Sequence, residues 1–230
     1  MKLKILIFLC IHIFISTQSS LCEDSSPALN SQAEKSALLS DKIINGIENR
    51  YNVSGFSAHF FQESSIKAME LTDTASGKLM IKRPGMMRWE YEKPERQIII
   101  TDGNTLWIYR PEDNQVMTGK SHDFFKGGKG AGFLSDIKII RQKFNVSLEK
   151  NNSTDNYKLK LLPKEKLFDI SAIYLSISKN TFEITTVVTY NSYGDKTRIE
   201  LSKFQFNHDI DDLMFRFKIP EGADILKLDN

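Results

Sequence analysis

Cysteine is nearly missing from this chain: Cys10 and Cys22 are the only two, and both stand at or before position 22. A domain that begins after Cys22 has no disulfide and must be held by its core. The four histidines, His12, His59, His122 and His208, are isolated, with no His-x-x-x-His pair and no retained cysteine nearby. That excludes the spacing a structural zinc site needs. The longest apolar run, Ile5 to Ile15, is too short to cross a bilayer comfortably. Charge of one sign is also lacking, since 31 basic and 29 acidic residues leave a formal +2. Positions 1–22 hold Lys2, Lys4 and no acid, so their removal takes the net charge to zero. Nothing in that balance asks for nucleic acid or an anionic membrane surface.

The catalytic signatures are absent too. Gly119-Lys120-Ser121 looks like the end of a phosphate loop, but the earlier glycine the motif requires is Asn114. Gly128-x-Gly130-x-Gly132 lacks the spacing and setting of a dinucleotide site and reads as a hinge or floppy loop. There is no Gly-x-Ser-x-Gly elbow. Asp209, Asp211 and Asp212 make half a calcium loop without the remaining ligands, which reads as a solvated turn. Asn52-Val53-Ser54, Asn145-Val146-Ser147 and Asn151-Asn152-Ser153 are glycosylation sequons that matter only in a eukaryotic secretory route. No enzyme, cofactor or metal is expected.

What is present begins with Lys2 and Lys4, the apolar run, and Ser16 to Ser20, the layout of a cleaved secretory signal over residues 1–22. Lipid on Cys22 is an alternative that would anchor the mature protein, although Leu21 is bulky for such a site. Residues 23–32 read as a flexible N-terminal segment and 33–230 as one domain. From Ala33 to about Tyr51, apolar Leu39, Ile43, Ile47 and Tyr51 recur every four, which predicts an amphipathic helix.

Beyond it, Phe56, Ala58 and Phe60 alternate with Ser57, His59 and Phe61, the period of a strand. The pattern continues over 66–71, and Thr72 to Gly77 is expected to turn the chain. Further strands are expected over 144–148, 157–161, 170–178, 182–190, 197–206 and 213–219, joined by segments rich in Asn, Asp and Gly. Phe133, Leu134, Ile137 and Ile140 have helical spacing after the glycine-bearing loop 122–132. About eleven antiparallel strands and two helical places predict a mainly β protein, an unclosed barrel with an α-helical lid.

Gly77 to Pro111 is the most informative stretch. Leu79, Met80 and Ile81, then Met86 and Met87, then Ile98, Ile99 and Ile100 are consecutive apolar residues within short strands. Neighbours in a strand point to opposite faces, so both faces of this sheet are apolar. One face fits a core under a helix, and the other must be a second core or a surface kept for a ligand. Met80, Met86, Met87, Met117, Trp89, Trp107 and Phe124 would make an adaptable lining for apolar chains, or an ordinary core.

The same stretch resembles the signature region of the LolA family, the periplasmic outer-membrane lipoprotein carriers. It carries Gly77, Leu79, Ile81, Lys82, Arg83 and Pro84, then Trp89, Pro94, and Thr101 to Tyr109. Phe56 to Gln62 is similar to that family's first strand, and Phe215-x-Phe217 with Pro220 to Asp224 to its closing segment. Met87 departs from the pattern, standing where the family commonly has an aromatic residue.

The resemblance implies an unclosed β-barrel capped by helices, whose cavity takes the acyl chains of lipoproteins. It implies acylated lipoproteins as cargo, an inner-membrane ABC lipoprotein-releasing transporter (LolCDE-like) as donor, an outer-membrane acceptor (LolB-like), and the periplasm of a Gram-negative bacterium. A monomer is expected. The alternatives are a membrane-anchored receptor or a lipoprotein-sensing regulator of the same fold (LolB-like or RseB-like), and, further off, a lipid- or glycan-acting envelope enzyme. The family's latch arginine falls on Arg83. Met80, Met87, Trp89, Ile98, Ile100, Leu39, Ile43 and Phe133 are the expected cavity residues.

Overall fold

The computed structural model describes residues 27–124, 132–150, 152–166, 169–206 and 209–228. The signal segment, Cys22, Gly127, Gly128, Gly130 and His208 lie outside them. Helix α1 spans Pro27–Arg50, so it takes in residues 27–32, which the sequence pattern assigns to a flexible segment. Proline at a first helical position explains the start, because its fixed φ suits the first turn and its missing N–H is not needed there. Arg50 closes the last turn, where a cation suits the helix dipole.

Among the described residues, twelve strands form a single sheet. They are β1 (Gly55–Ile66), β2 (Leu71–Lys82), β3 (Met86–Lys93), β4 (Gln97–Asp102), β5 (Thr105–Arg110), β6 (Gln115–Lys120), β7 (Phe144–Leu148), β8 (Asn156–Pro163), β9 (Ala172–Ser178), β10 (Ile184–Tyr190), β11 (Lys196–Phe206) and β12 (Asp224–Lys227). Their order is β12-β6-β5-β4-β3-β2-β1-β11-β10-β9-β8-β7, so the sheet ends on β12 and β7 and does not close. Helices α2 (Ser121–Phe124) and α3 (Ile139–Lys143) are short.

Two expected elements differ. Thr72 to Gly77 is strand, and the turn falls at Lys67–Met69 with Glu70 left-handed at φ 51°. The polar residues there belong to long exposed arms of β1 and β2, where solvent on the strand removes the apolar alternation. Residues 213–219 are not a strand: Asp212–Phe215 forms a 3-10 turn capped by the Asp211 carboxylate, which accepts from the Leu213 N–H at 2.9 Å. The last strand, β12, pairs parallel with β6 and is exposed throughout. With no buried face, it leaves no alternating signal in the sequence.

The register sorts the two faces. Leu79 pairs with Trp89 and Ala58, and Ile81 with Met87 and Phe56, so these six share one face. That inner face forms one cluster with Ile43, Ile44 and Ile47 of α1, with Tyr51 just past its end, and with Phe133, Leu134, Ile137 and Ile140 of the segment around α3. Gly46 lets α1 come close, because a Cβ there would stand 2.3 Å from the Phe182 ring.

The outer face of β3 to β6 carries a second packed layer. Arg88 donates through Nη1 to the Met214 carbonyl at 3.0 Å, and the Phe217 ring lies 6.1 Å from Trp107 and 5.5 Å from Tyr109. Phe215 is fully buried. The two-sided apolar strands of the sequence therefore serve two layers, α1 and the 132–143 segment within and the C-terminal segment without.

Candidate functional site

The inner face is an apolar wall covered by the segment 132–143. The strands supply Phe60, Leu79, Ile81, Met87, Trp89, Ile173, Leu175 and Val187, and the cover supplies Phe133, Leu134, Ile137 and Ile140 on a segment of two short helical turns. The rings of Phe60 and Trp89 sit 4.8 Å apart, and the indole N–H of Trp89 donates to the Met87 sulfur at 3.0 Å. A thioether is a weak acceptor, so this contact keeps the indole polar edge satisfied inside an apolar site.

Polar contacts hold the rim. Arg83, at the turn between β2 and β3, donates through Nε to the Ser135 carbonyl at 3.3 Å. Burial lowers the Arg83 pKa, and Asp136 nearby opposes that shift. The Ser135 hydroxyl in turn donates to the Gly132 carbonyl at 2.7 Å, which tightens the turn that Arg83 grips. At the other end of the cover, Arg141 donates through Nε to Glu48 at 2.9 Å and through Nη1 to Asp41 at 2.9 Å. Its Nη2 reaches Asn45 Oδ1 at 2.7 Å. A cleft of about 920 Å³ opens between these parts, and Asn49, Asn52, Arg83, Ser135, Lys138 and Arg141 contribute to its walls.

Helix α1 is fixed to the sheet from below. Burial pushes the Tyr51 phenol well above its usual value, and its oxygen accepts from the Ile184 N–H at 3.0 Å. Arg50 pairs with Glu183 at 2.5 Å and lies 3.7 Å over the Phe206 ring. The cover is thus attached to a helix that is itself tied to the sheet at its C-terminal end.

The eight expected cavity residues do not share one wall. Leu39, Ile43, Met87, Trp89 and Phe133 belong to or pack on the inner cluster. Met80 pairs with Arg88, Ile100 with Arg88 and Ile98 with Glu90, which puts all three on the outer face. Strand alternation fixes that neighbours oppose, but not which of them faces inward. Sequence patterning does not single out Arg141 and its α1 partners. The one available signal is Asp41, Asn45 and Glu48 at helical spacing beside the apolar stripe.

The match to known proteins decides what this arrangement belongs to. Residues 51–218 match the family model of the outer membrane lipoprotein carrier protein LolA. The chain belongs to the LolA family. An outer-membrane lipoprotein carrier protein of Chromobacterium violaceum is 34% identical over 173 residues, 75% of this chain and 81% of that one. Its counterpart in Neisseria meningitidis serogroup B is 29% identical over 175 residues, covering 76% and 82%. Among solved structures, an uncharacterized conserved protein from Thermus thermophilus shares the fold, with a TM-score of 0.53 and 14% identity over 82% of this chain and 98% of that one. In LolA-family terms, the matched residues include the inner wall, Arg83 and the whole cover, while all of α1 precedes them.

Proposed function

We propose that this protein is a periplasmic chaperone that takes the acyl chains of lipoproteins between its inner sheet face and its cover. It would receive them from an inner-membrane ABC lipoprotein-releasing transporter and pass them to an outer-membrane acceptor. The observation that carries this reading is an apolar wall whose cover is held at its edge by polar contacts, with Arg83 on the Ser135 carbonyl at one end.

The physical problem supports the design. Each buried CH₂ contributes about 0.8 kcal/mol, so one acyl chain carries on the order of ten kcal/mol that water cannot offer on release. The chains must go from one apolar site directly into another. Leu39, Ile43, Met87, Trp89 and Phe133 are the residues we assign to chain contact, and Arg83 is the latch. The task is binding and transfer, so no turnover is assigned.

Purification of the mature protein from its native envelope, with mass spectrometry of what comes with it, tests the reading. Co-purified acylated lipoproteins are the expected result. Reproducible absence of lipid and lipoprotein, with no lipoprotein mislocalised on depletion, overturns it.

A further inference from the structure

We propose that Arg141 is a second latch, which holds the far end of the cover to α1 and must release before acyl chains can enter. This rests on the carrier reading above. Arg141 spreads its guanidinium over three side chains of α1, Asp41, Asn45 and Glu48, and adds a longer contact to the Asp41 carbonyl at 3.4 Å. Those acceptors lie four and three residues apart, so they form one strip along the helix. A planar fork matched to two carboxylates and an amide fixes direction as well as distance, which a lysine could not do.

The place of Arg141 gives this contact its consequence. Helix α1 is anchored to β10 through Tyr51 and Ile184 and to the sheet through Arg50. The backbone after Lys143 enters β7 directly, and Lys164 donates to the Arg141 carbonyl at 2.8 Å. Between the two arginine contacts lie Ile137 and Ile140, both buried, with Phe133 and Leu134 just before. The cover therefore cannot leave the inner wall while Ser135 is held by Arg83 and α3 is held by Arg141. Both arginines border the same 920 Å³ cleft, where water can compete for their contacts. Each latch is thereby breakable, and opening breaks both.

The mature protein is compared with Arg141→Gln, Arg141→Lys, Arg83→Leu and the Arg141→Gln, Arg83→Leu double variant. Amide hydrogen exchange reads the cover, and a fluorescent palmitoyl probe reads entry. Arg141→Gln is expected to raise exchange over 132–143 and to speed probe uptake, each by about fivefold, as losing about one kcal/mol of charged hydrogen bonding implies. Exchange in β9 to β11 stays as in the parent. Arg141→Lys falls between, and the double variant multiplies the single effects. Unchanged exchange over 132–143 overturns the proposal, as does faster exchange without faster uptake when the parent does take up the probe, or a general loss of protection that includes β9 to β11. If no variant, nor the parent, takes up the probe, the carrier reading fails. The exchange over 132–143 then decides the clamp by itself, protection lost in Arg141→Gln supporting it and protection kept overturning it.

Discussion

The Arg83 side chain and the Ser135 carbonyl, 52 residues apart in the chain, meet at 3.3 Å across the edge of the apolar wall. A guanidinium half withdrawn from water gives this contact more weight than a surface pair, yet leaves it within reach of solvent. On the latch reading proposed above, replacing Arg83 with Leu removes a contact that the closed state makes and the open one lacks. The equilibrium then moves toward the open, loaded state by roughly fivefold, for about one kcal/mol lost. Slower release of cargo to an acceptor, with an unchanged circular dichroism spectrum, is the expected outcome. Release at the parent rate would remove Arg83 from the mechanism.

Gly77 stands where β2 passes β3, and a Cβ there would lie 1.8 Å from the Glu90 carbonyl oxygen. The pairing is irregular between Ser76 and Gly77, so the close approach belongs to the curve of the sheet. The Glu90 backbone cannot move aside as a side chain can. Gly77→Ala should destabilise by about 1–3 kcal/mol or more, read as the midpoint of denaturant unfolding. A midpoint equal to the parent would show that the sheet flattens there at no cost.

Phe215 tests the outer layer separately from the inner one. It is fully buried against the outside of the sheet, and truncation to Ala should cost about 3–5 kcal/mol. Hydrogen exchange should rise first in β3 to β6 and not in α1. Equal loosening of α1 would mean that the two layers fold as one unit.

Alkali should unfold the protein through its buried phenols. Burial pushes the Tyr91 pKa up to about 12 from an ordinary 10, and Tyr51 is raised further still. As pH rises through 10, the unfolded chain loses these protons while the folded chain keeps them, so unfolding becomes easier. Stability is full below pH 10 and is lost as pH climbs to about 12. Tyr91→Phe should move the alkaline midpoint upward. Tyr51→Phe has a second effect, because it leaves the Ile184 N–H without its acceptor, and should cost about 1–3 kcal/mol at neutral pH.

Much of the fold can be read along the chain because its cause is local. The four-residue spacing of Leu39, Ile43, Ile47 and Tyr51 requires a helix with one buried stripe, and the alternation of Phe56, Ala58 and Phe60 requires a strand with one buried face. The apolar neighbours Met80 and Ile81, or Ile99 and Ile100, require a sheet apolar on both sides, and the structure has a layer on each. The motif around Arg83 likewise carried the family.

Tertiary structure decided the rest. Met87 and Trp89 face the cover, whereas Met80, Ile98 and Ile100 face outward, since alternation has no sign until another element packs on one side. Phe215 and Phe217 mimic a strand because bulky alternating residues also suit an irregular segment laid across a sheet. Arg141 finds Asp41 and Glu48 at separations of 100 and 93 residues, a pairing of common charged residues that has no local period. The sequence by itself determined an apolar, two-sided sheet with a helix to cover it. Only packing decided which side is the wall, and which arginines reach across its edge.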